Sequence, residues 1–279
     1  MTDSGFDFNA FQRQIIAEFR ANRGRVGGPF EGATLALLTS IGARTGVART
    51  SPLAYLTVDG TPVVVASAMG ADKNPDWYHN VLRNPVVTVE TGTEKYDAIA
   101  AAPTGAERDR LFAAVVALDP GFGDYQKKTA RRIPVVTLTR IDTSAVTWSR
   151  GLGDFLAEAH AWLRGDLDRL RRQVADGEQP SPVRQHCLDF CSALDRHHTG
   201  EGRGAFPMLA QRFPALAPVL ERLGEEHRQL RQRLLELEQS DPDLDKLDEL
   251  ADQLDAHFRY EERTIVAALN TLGPAPEFG

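Results

Sequence analysis

From about residue 150 onward, apolar residues recur every three or four positions in four successive stripes, the period of an amphipathic helix. The first stripe is Leu156, His160, Leu163, Leu167, Leu170 and Val174, and the second is Val183, Cys187, Phe190, Leu194, His197 and Glu201. The third is Leu216, Leu220, Leu223, His227, Leu230 and Leu234, and the fourth is Leu247, Leu250, Leu254, His257, Glu261 and Ile265. Breaks rich in Pro, Gly and Asp at 175–182, 212–218 and 240–242 separate them. Four such helices with short connections predict an all-α four-helix bundle over residues 150–273. Ahead of it the pattern is different. Short β-rich runs stand at 34–40, 53–58, 62–67, 86–90, 97–101 and 135–140, with Asp59-Gly60 as a hairpin signal. Helices are expected over 8–22, after Thr104 with Glu107 completing a capping box, and over 122–131. Antiparallel strands with few helices predict a mainly-β barrel or sandwich over residues 1–145, with the boundary at 142–152.

Composition changes this picture little. A chain of 279 residues is long enough for about two domains. No run approaches the ~18 consecutive apolar residues of a membrane span. The start, MTDSGFDFNAFQRQII, is acidic and amphipathic, unlike a signal peptide. Cys187 and Cys191, four apart in a helical pattern, form no disulfide framework, so a cytoplasmic location is expected. The charge is unevenly divided: residues 151–279 carry 24 acidic and 15 basic side chains, residues 1–150 carry 15 and 17. Basic residues of the first module are therefore available to an anionic ligand. A pI of 5.6 and the lack of a basic stripe argue against nucleic acid.

Every bundle helix places a histidine on its apolar seam, and two add a glutamate one turn later. A carboxylate among leucines costs several kcal/mol unless it is paired or coordinated. Four imidazoles and two carboxylates on converging seams need a cation. The donors His160, His197, Glu201, His227, His257 and Glu261 are too many for one tetrahedral zinc and unlike an all-oxygen calcium site. They suit iron or manganese, with carboxylates bridging two ions. His186 reads as structural.

The set His160…His197-x3-Glu201…His227…His257-x3-Glu261, with Glu226-His227 and Phe206-Pro207, resembles the hemerythrin-like (HHE cation-binding) family. The resemblance implies two iron ions that meet O2, peroxide or NO. It has departures. Arg231 stands where oxygen carriers have a second third-helix histidine, and the last helix has His-x3-Glu rather than their His-x4-Asp. Reactive or sensing chemistry is expected rather than oxygen carriage, with His198 or water completing one iron. Gly200, Gly202 and Gly204 are expected to interrupt the second helix and loosen Glu201.

In the first module, Arg44 and Arg49 with the hydroxyls of Thr45, Thr50 and Ser51 form a turn and strand entry suited to phosphate. Trp77 and Tyr78 supply flat faces for an aromatic ring system. Asn9…Ile15 to Asn22, the Thr/Gly/Arg turn and Pro75-Asp-Trp-Tyr-His-Asn80 together resemble the deazaflavin-dependent nitroreductase family over residues 6–141. That family consists of split β-barrel proteins that bind reduced coenzyme F420 and reduce quinones or nitro compounds. The resemblance implies that Ala43, Arg44 and Thr45, with Arg49, Thr50, Ser51, Pro52, Leu53 and Ala54, hold the cofactor's phosphate and side chain. Val65, Ala66, Ser67 and Ala68, with Asp76, Trp77, Tyr78, His79 and Asn80, would line the deazaflavin. Tyr125 matches a family tyrosine near the substrate, and His79 reads as a supporting residue. Ala68 replaces a lysine frequent in relatives, which leaves FMN open as the cofactor and Lys73 as a substitute cation. Split-barrel relatives often dimerise, so a homodimer is possible.

The two halves together predict an F420H2-dependent oxidoreductase for a small electron acceptor, fused to a di-iron bundle. The competing class is an iron- or oxygen-sensing or binding protein without turnover.

Overall fold

A computed structural model describes residues 8–239, 241 and 243–276, the side chains of Phe8 and Asn9 excepted. The acidic first seven residues, and Ser240 and Pro242 of the third break, lie outside the described residues. The chain divides into two compact units, Met1–Ile141 and Asp142–Gly279.

The first unit is a curled antiparallel sheet. Its strands are β1 (Leu35–Ile41), β2 (Ala48–Ala54), β3 (Leu56–Val58), β4 (Thr61–Val65), β5 (Val86–Glu90), β6 (Lys95–Ala101) and β7 (Val135–Arg140). They lie in the order β2-β1-β5-β6-β7-β4-β3, and β2 comes back into contact with β4, so the sheet rolls into a split barrel. Pro52 sits opposite Leu37 within β2, which an edge strand tolerates because no ladder bond is lost on its open side. One apolar face, with Leu38, Val64, Val89 and Val136, packs on α2 (Asp76–Arg83) through Trp77 and Val81. The other, with Val63, Val65 and Val135, packs on α3 (Gly105–Leu118) and α4 (Gly121–Lys127). The helix α1 (Phe8–Ala21) covers the start of β1 through Ile15 and Phe19.

Two sequence expectations need correction, and one helix has no counterpart among them. The run at 53–58 is the end of β2 and all of β3, broken at Tyr55, whose N–H turns to the Thr34 carbonyl. The segment 76–83 is a helix, although at eight residues it is too short to show a period. Thr104 precedes α3 but its hydroxyl makes no cap, and the Glu107 carboxylate of the expected box is held by Arg110 at 2.9 Å.

The second unit is the bundle: α5 (Leu152–Ala175), α6 (Pro180–Gly200), α8 (Ala217–Glu238) and α9 (Leu244–Leu269), with short α7 (Phe206–Arg212) between α6 and α8. Neighbouring pairs are α5–α6, α6–α8, α8–α9 and α9–α5, a closed square around one core. At one end α5 and α9 touch so closely that a Cβ on Gly153 would lie 2.3 Å from the Val266 carbonyl oxygen. The lower core is leucine, with Phe190, Phe258 and the free, buried Cys187 and Cys191. No helix among the described residues is long and apolar enough to cross a membrane.

Candidate metal and cofactor sites

The glycines after His198 do not break the second bundle helix. Glu201–Ala205 form a π-helical turn that runs directly from α6 into α7. Three glycines lower the cost of the wider winding, and a π turn inserts one residue, re-aiming what lies beside it. Glu201 is 4% exposed, so the expectation of a loosened Glu201 is overturned.

Seven side chains converge here, at one level of the core. His160 and Glu261 are completely buried, and His257, Glu201 and His198 nearly so. His197 and His198 are consecutive, yet both face inward. A buried helix stripe spans 100° or more, which is one residue step, so His197 sits at its α5 edge and His198 at its α8 edge. The His197 ring lies 4.9 Å from His160, edge-on, while His198 stacks on His227 at 4.1 Å. His160 Nε2 is 3.4 Å from Glu261 and 3.8 Å from Glu201. His227 Nε2 is 3.4 Å from Glu201, and His257 Nε2 is 3.4 Å from Glu261.

Two outer nitrogens are occupied. His160 Nδ1 meets Glu262 at 3.0 Å, with Arg164 on the same oxygen, and His257 Nδ1 meets Glu226 at 2.8 Å. A carboxylate on Nδ1 fixes the tautomer and leaves Nε2 as an inward lone pair. Glu226 and Glu262 were not among the sequence-derived site residues. Their signal is position, Glu226 next to His227 and Glu262 next to Glu261. His186 lies apart from the cluster, bonded through Nε2 to Asp166 at 3.2 Å, as a structural histidine would be.

His227 Nε2 and His257 Nε2 meet at 3.1 Å, and the other inward atoms lack hydrogen bonds. The Nε2 atoms of His160, His197 and His198 and all four carboxylate oxygens of Glu201 and Glu261 are buried without a hydrogen bond. Native cores satisfy nearly all such groups, so this cluster is built to hold a partner other than protein. Burial pushes the Glu261 carboxyl up to about 8 and Glu201 well above its ordinary value, while it lowers His160 to about 2, His227 to about 3 and His197 to about 4. Three overlapping groups have donor atoms within 4.8 Å of one another: His160/His197/Glu201, Glu201/His227/Glu261 and His198/His227/His257. A cation fits this donor set, and Glu201 is common to two groups. Imidazole with carboxylate matches iron-type ions, as opposed to soft thiolate sites.

In the first unit, the β1–β2 hairpin carries Ala43, Arg44, Thr45 and Arg49. Gly46 supplies the positive φ of +67° that the turn requires. The Asn80 side chain accepts the Ala43 N–H at 2.9 Å and donates to Ser40, and Asn84 donates to the Ile41 carbonyl. Buried Asn80 thus fixes the turn. Arg44 and Arg49 are exposed, and no carboxylate pairs with either among the described residues. The Thr45 hydroxyl accepts from Val47 N–H, and Thr50 pairs with Thr39 across the strands at 2.8 Å, so part of their capacity serves the fold. Ser51, Pro52, Leu53 and Ala54 are half-buried along β2. Trp77 is in the core rather than presenting a face, with Tyr78 half-buried edge-on to it at 6.3 Å. Asp76 and His79 are exposed.

β4 ends on buried Val65, and the chain runs on through buried Ala66 and half-buried Ser67 and Ala68. Ala68, Met69 and Gly70 then take φ of +46°, +53° and +88° in succession. Left-handed backbone costs roughly 1–2 kcal/mol for each residue with a Cβ. Tyr125 of α4 reaches this turn: its carbonyl would lie 2.9 Å from a Cβ on Gly70, and Lys128 Nζ lies 5.3 Å from its ring. Lys73 is exposed.

Residues 11–140 match the family model described as F420H(2)-dependent quinone reductase. The chain is 35% identical over 128 residues to the F420H(2)-dependent quinone reductase Rv1261c of Mycobacterium tuberculosis (strain ATCC 25618 / H37Rv), an alignment covering 44% of this chain and 86% of that protein. The chain belongs to the F420H(2)-dependent quinone reductase family. Residues 152–269 of this family member match a second model, the Hemerythrin HHE cation binding domain. A solved F420-H2 dependent reductase is 37% identical, covering 38% of this chain and 93% of its own, with a TM-score of 0.35. A domain-swapped dimer is 34% identical, covering 47% and 97%, with a TM-score of 0.37.

Within the quinone reductase unit, one side chain offsets the strain of the Ala68 turn. Arg131 donates to the carbonyls of Ala66, Ser67 and Ala71 at 3.1, 2.7 and 2.7 Å and to Asn74 Oδ1 at 2.7 Å. A guanidinium has a rigid fork of five donors, and four of the bonds here tie one loop. Arg131→Ala is expected to destabilise this unit by roughly 2 kcal/mol or more, since bonds from a charged donor contribute about that much. Arg131→Lys should recover only part, because an ammonium cannot reproduce the fork. Urea midpoints of the three proteins check this, and equal midpoints would overturn it.

Proposed function

We propose that the N-terminal unit is a deazaflavin-dependent oxidoreductase that takes coenzyme F420H2 as hydride donor and a quinone-type small molecule as acceptor. We further propose that the C-terminal unit holds two iron ions and meets O2, peroxide or NO. Bound F420H2 supplies hydride chemistry and a bound iron pair supplies one-electron and oxygen chemistry. The chain's own residues bind, orient and exclude water. Arg44 and Arg49 take the phosphate-bearing tail, Val65 to Ala68 and Tyr78 flank the deazaflavin, and Tyr125 borders the acceptor. Asn80 and Arg131 position these loops.

In the bundle, His160 and His197 serve one ion, and His198, His227 and His257 serve the other. Glu201 and Glu261 lie between the two groups. His198 raises the histidine count to five, which offsets the loss at Arg231. The observation that carries this reading is the set of seven buried, unpartnered nitrogen and oxygen atoms of His160, His197, His198, Glu201 and Glu261. Hydrogen bonds donated by Nδ1–H to the carboxylates of Glu262 and Glu226 hold His160 and His257 with Nε2 inward.

Metal analysis and an absorbance spectrum of the purified protein, with F420H2 oxidation by a benzoquinone, test both halves. Two irons per chain and quinone-dependent turnover are expected. Less than one iron, or flavin turnover in place of F420H2, would sink the corresponding half. Glu262→Gln should lower iron affinity about 10–100-fold, the usual effect of losing a supporting carboxylate, as read by competition with a chelator. Unchanged affinity would remove Glu262 from that role.

A further inference from the structure

Between the π turn and α8 a cleft of about 350 Å³ leads from the surface to the rings of His198 and His227. Two glycines make the opening. A Cβ on Gly202 would meet nothing within 4 Å, and one on Gly224 only the tip of Arg228 at 4.0 Å. The lip is basic, with Arg203, Arg228 and Arg231 all lining it. Arg228 is paired with Glu225, and Arg231 lies 3.4 Å from Asp195. Arg203 is exposed, with no carboxylate partner among the described residues. Three guanidinium groups against two carboxylates leave one positive charge uncompensated. At the back of the cleft His198 is 7% exposed and its Nε2 has no partner.

A second groove, between α8 and α9, meets His257 beside Glu226 and Glu236. Its two arginines are both paired, Arg222 with Glu226 and Arg233 with Glu249, and Glu236 is a further carboxylate, so this groove carries no surplus positive charge, and Glu226 already occupies His257 Nδ1. On the α5–α9 side, the Phe258 ring stacks on His160 at 4.0 Å and covers it. The route favoured for negative charge is therefore the α6–α8 cleft.

We propose that this cleft is an anion port, through which a small monovalent inorganic anion of nitrite size reaches the His198–His227 edge of the cluster. The proposal rests on the di-iron reading above. A positively lined cleft with apolar walls concentrates counter-ions, and the effect falls with ionic strength. Arg231 then has a role of its own, collecting anions at the lip of the cleft.

The test titrates iron-loaded full-length protein with nitrite, following the visible spectrum, with iron content measured in parallel. Saturable binding is expected, weakening as salt rises. Arg203→Ala should raise the Kd about tenfold, the effect of one lost charge-assisted contact. Gly224→Leu should slow binding about tenfold by filling the opening from α8, outside the π turn, and both should keep full iron. Arg233→Ala, in the α8–α9 groove and paired with Glu249, should change nothing. Unaltered affinity and rate in Arg203→Ala and Gly224→Leu at full iron would overturn the port, as would equal weakening by Arg233→Ala or no nitrite binding by the wild type. A protein that takes up no iron sinks the di-iron reading, and the port with it.

Discussion

Loading the bundle with iron raises its unfolding midpoint by on the order of 10 °C or more, with a larger shift at pH 8 than at pH 6. A ligand that binds only the folded state adds about 4 kcal/mol when present at a thousand times its Kd, and each kcal/mol moves the midpoint of a unit this size by several degrees. The metal-free fold must bury two carboxylates against five imidazoles. Neither carboxylate has a hydrogen bond, so the fold keeps them neutral: Glu261 is pushed up to about 8 and Glu201 is raised, both chiefly by burial. Between the ordinary carboxyl value and about 8 the unfolded chain has lost protons that the fold retains. That stability is fully present below about pH 4 and is lost as pH rises toward 8.

The histidines slope the other way. Burial holds His160, His227 and His197 at about 2, 3 and 4, so below about pH 6.5 the unfolded chain binds protons that the fold refuses. Stability from these groups falls as pH drops from 6.5. The metal-free bundle is therefore most stable near neutrality and declines toward pH 8. Metal reverses that decline, because coordination needs carboxylates without their protons and affinity grows as they leave. Glu261→Leu separates the parts: its metal-free midpoint should exceed the wild type's, since an apolar side chain replaces a buried polar one, and the iron shift should vanish. Thermal scans at pH 6 and 8, with and without iron, check each statement. Equal iron shifts at the two pH values would refute the protonation argument.

What was legible in the sequence of the bundle follows from period alone. A spacing of three or four residues puts His160, His197, His227 and His257 on seams, and the seams face one core. His198 shows where that reasoning is too narrow. From Leu194 the next inward position is three or four residues on, and a wide stripe admits both, so His197 and His198 are both inside. The glycines at 200, 202 and 204 carry a correct local signal with an ambiguous outcome. They loosen the α winding, and in the folded chain the result is a π turn instead of a break. In the first unit, long-range contacts decide most of what was missed. Arg131 is 57 to 65 residues from the atoms it holds at Ala66, Ser67 and Asn74, and no local pattern announces that. Trp77 is a similar case. An aromatic beside a polar helix start reads as a ligand face, and only the sheet's register puts it under Ala36 and Leu38.

Arg44 and Arg49 offer the largest effect in the reductase unit. Replacing both by alanine should weaken F420 binding by two to three orders of magnitude while leaving the fold and the turnover rate at saturating cofactor nearly intact. Both side chains are exposed on or beside the β1–β2 hairpin and pair with no carboxylate among the described residues, so the folded protein loses no ion pair with them. Surface changes away from such partners usually move stability by less than about 0.5 kcal/mol. Toward a phosphate the balance differs, since a forked guanidinium contact contributes about 1.5–3 kcal/mol, or roughly one to two orders of magnitude in affinity each. The hydride leaves from the ring, not from the tail, so uniform binding is lost and KM rises with kcat held. Asn80→Ala is the contrasting variant. It removes the acceptor for Ala43 N–H and the link to Ser40, so it should lower stability and affinity together. Fluorescence titration of F420 at two salt concentrations separates these cases: the wild-type affinity should fall with salt, and that of the double variant should barely respond. An Arg44/Arg49 double variant that kept wild-type affinity, or lost kcat at saturating F420H2, would place the tail elsewhere on the barrel.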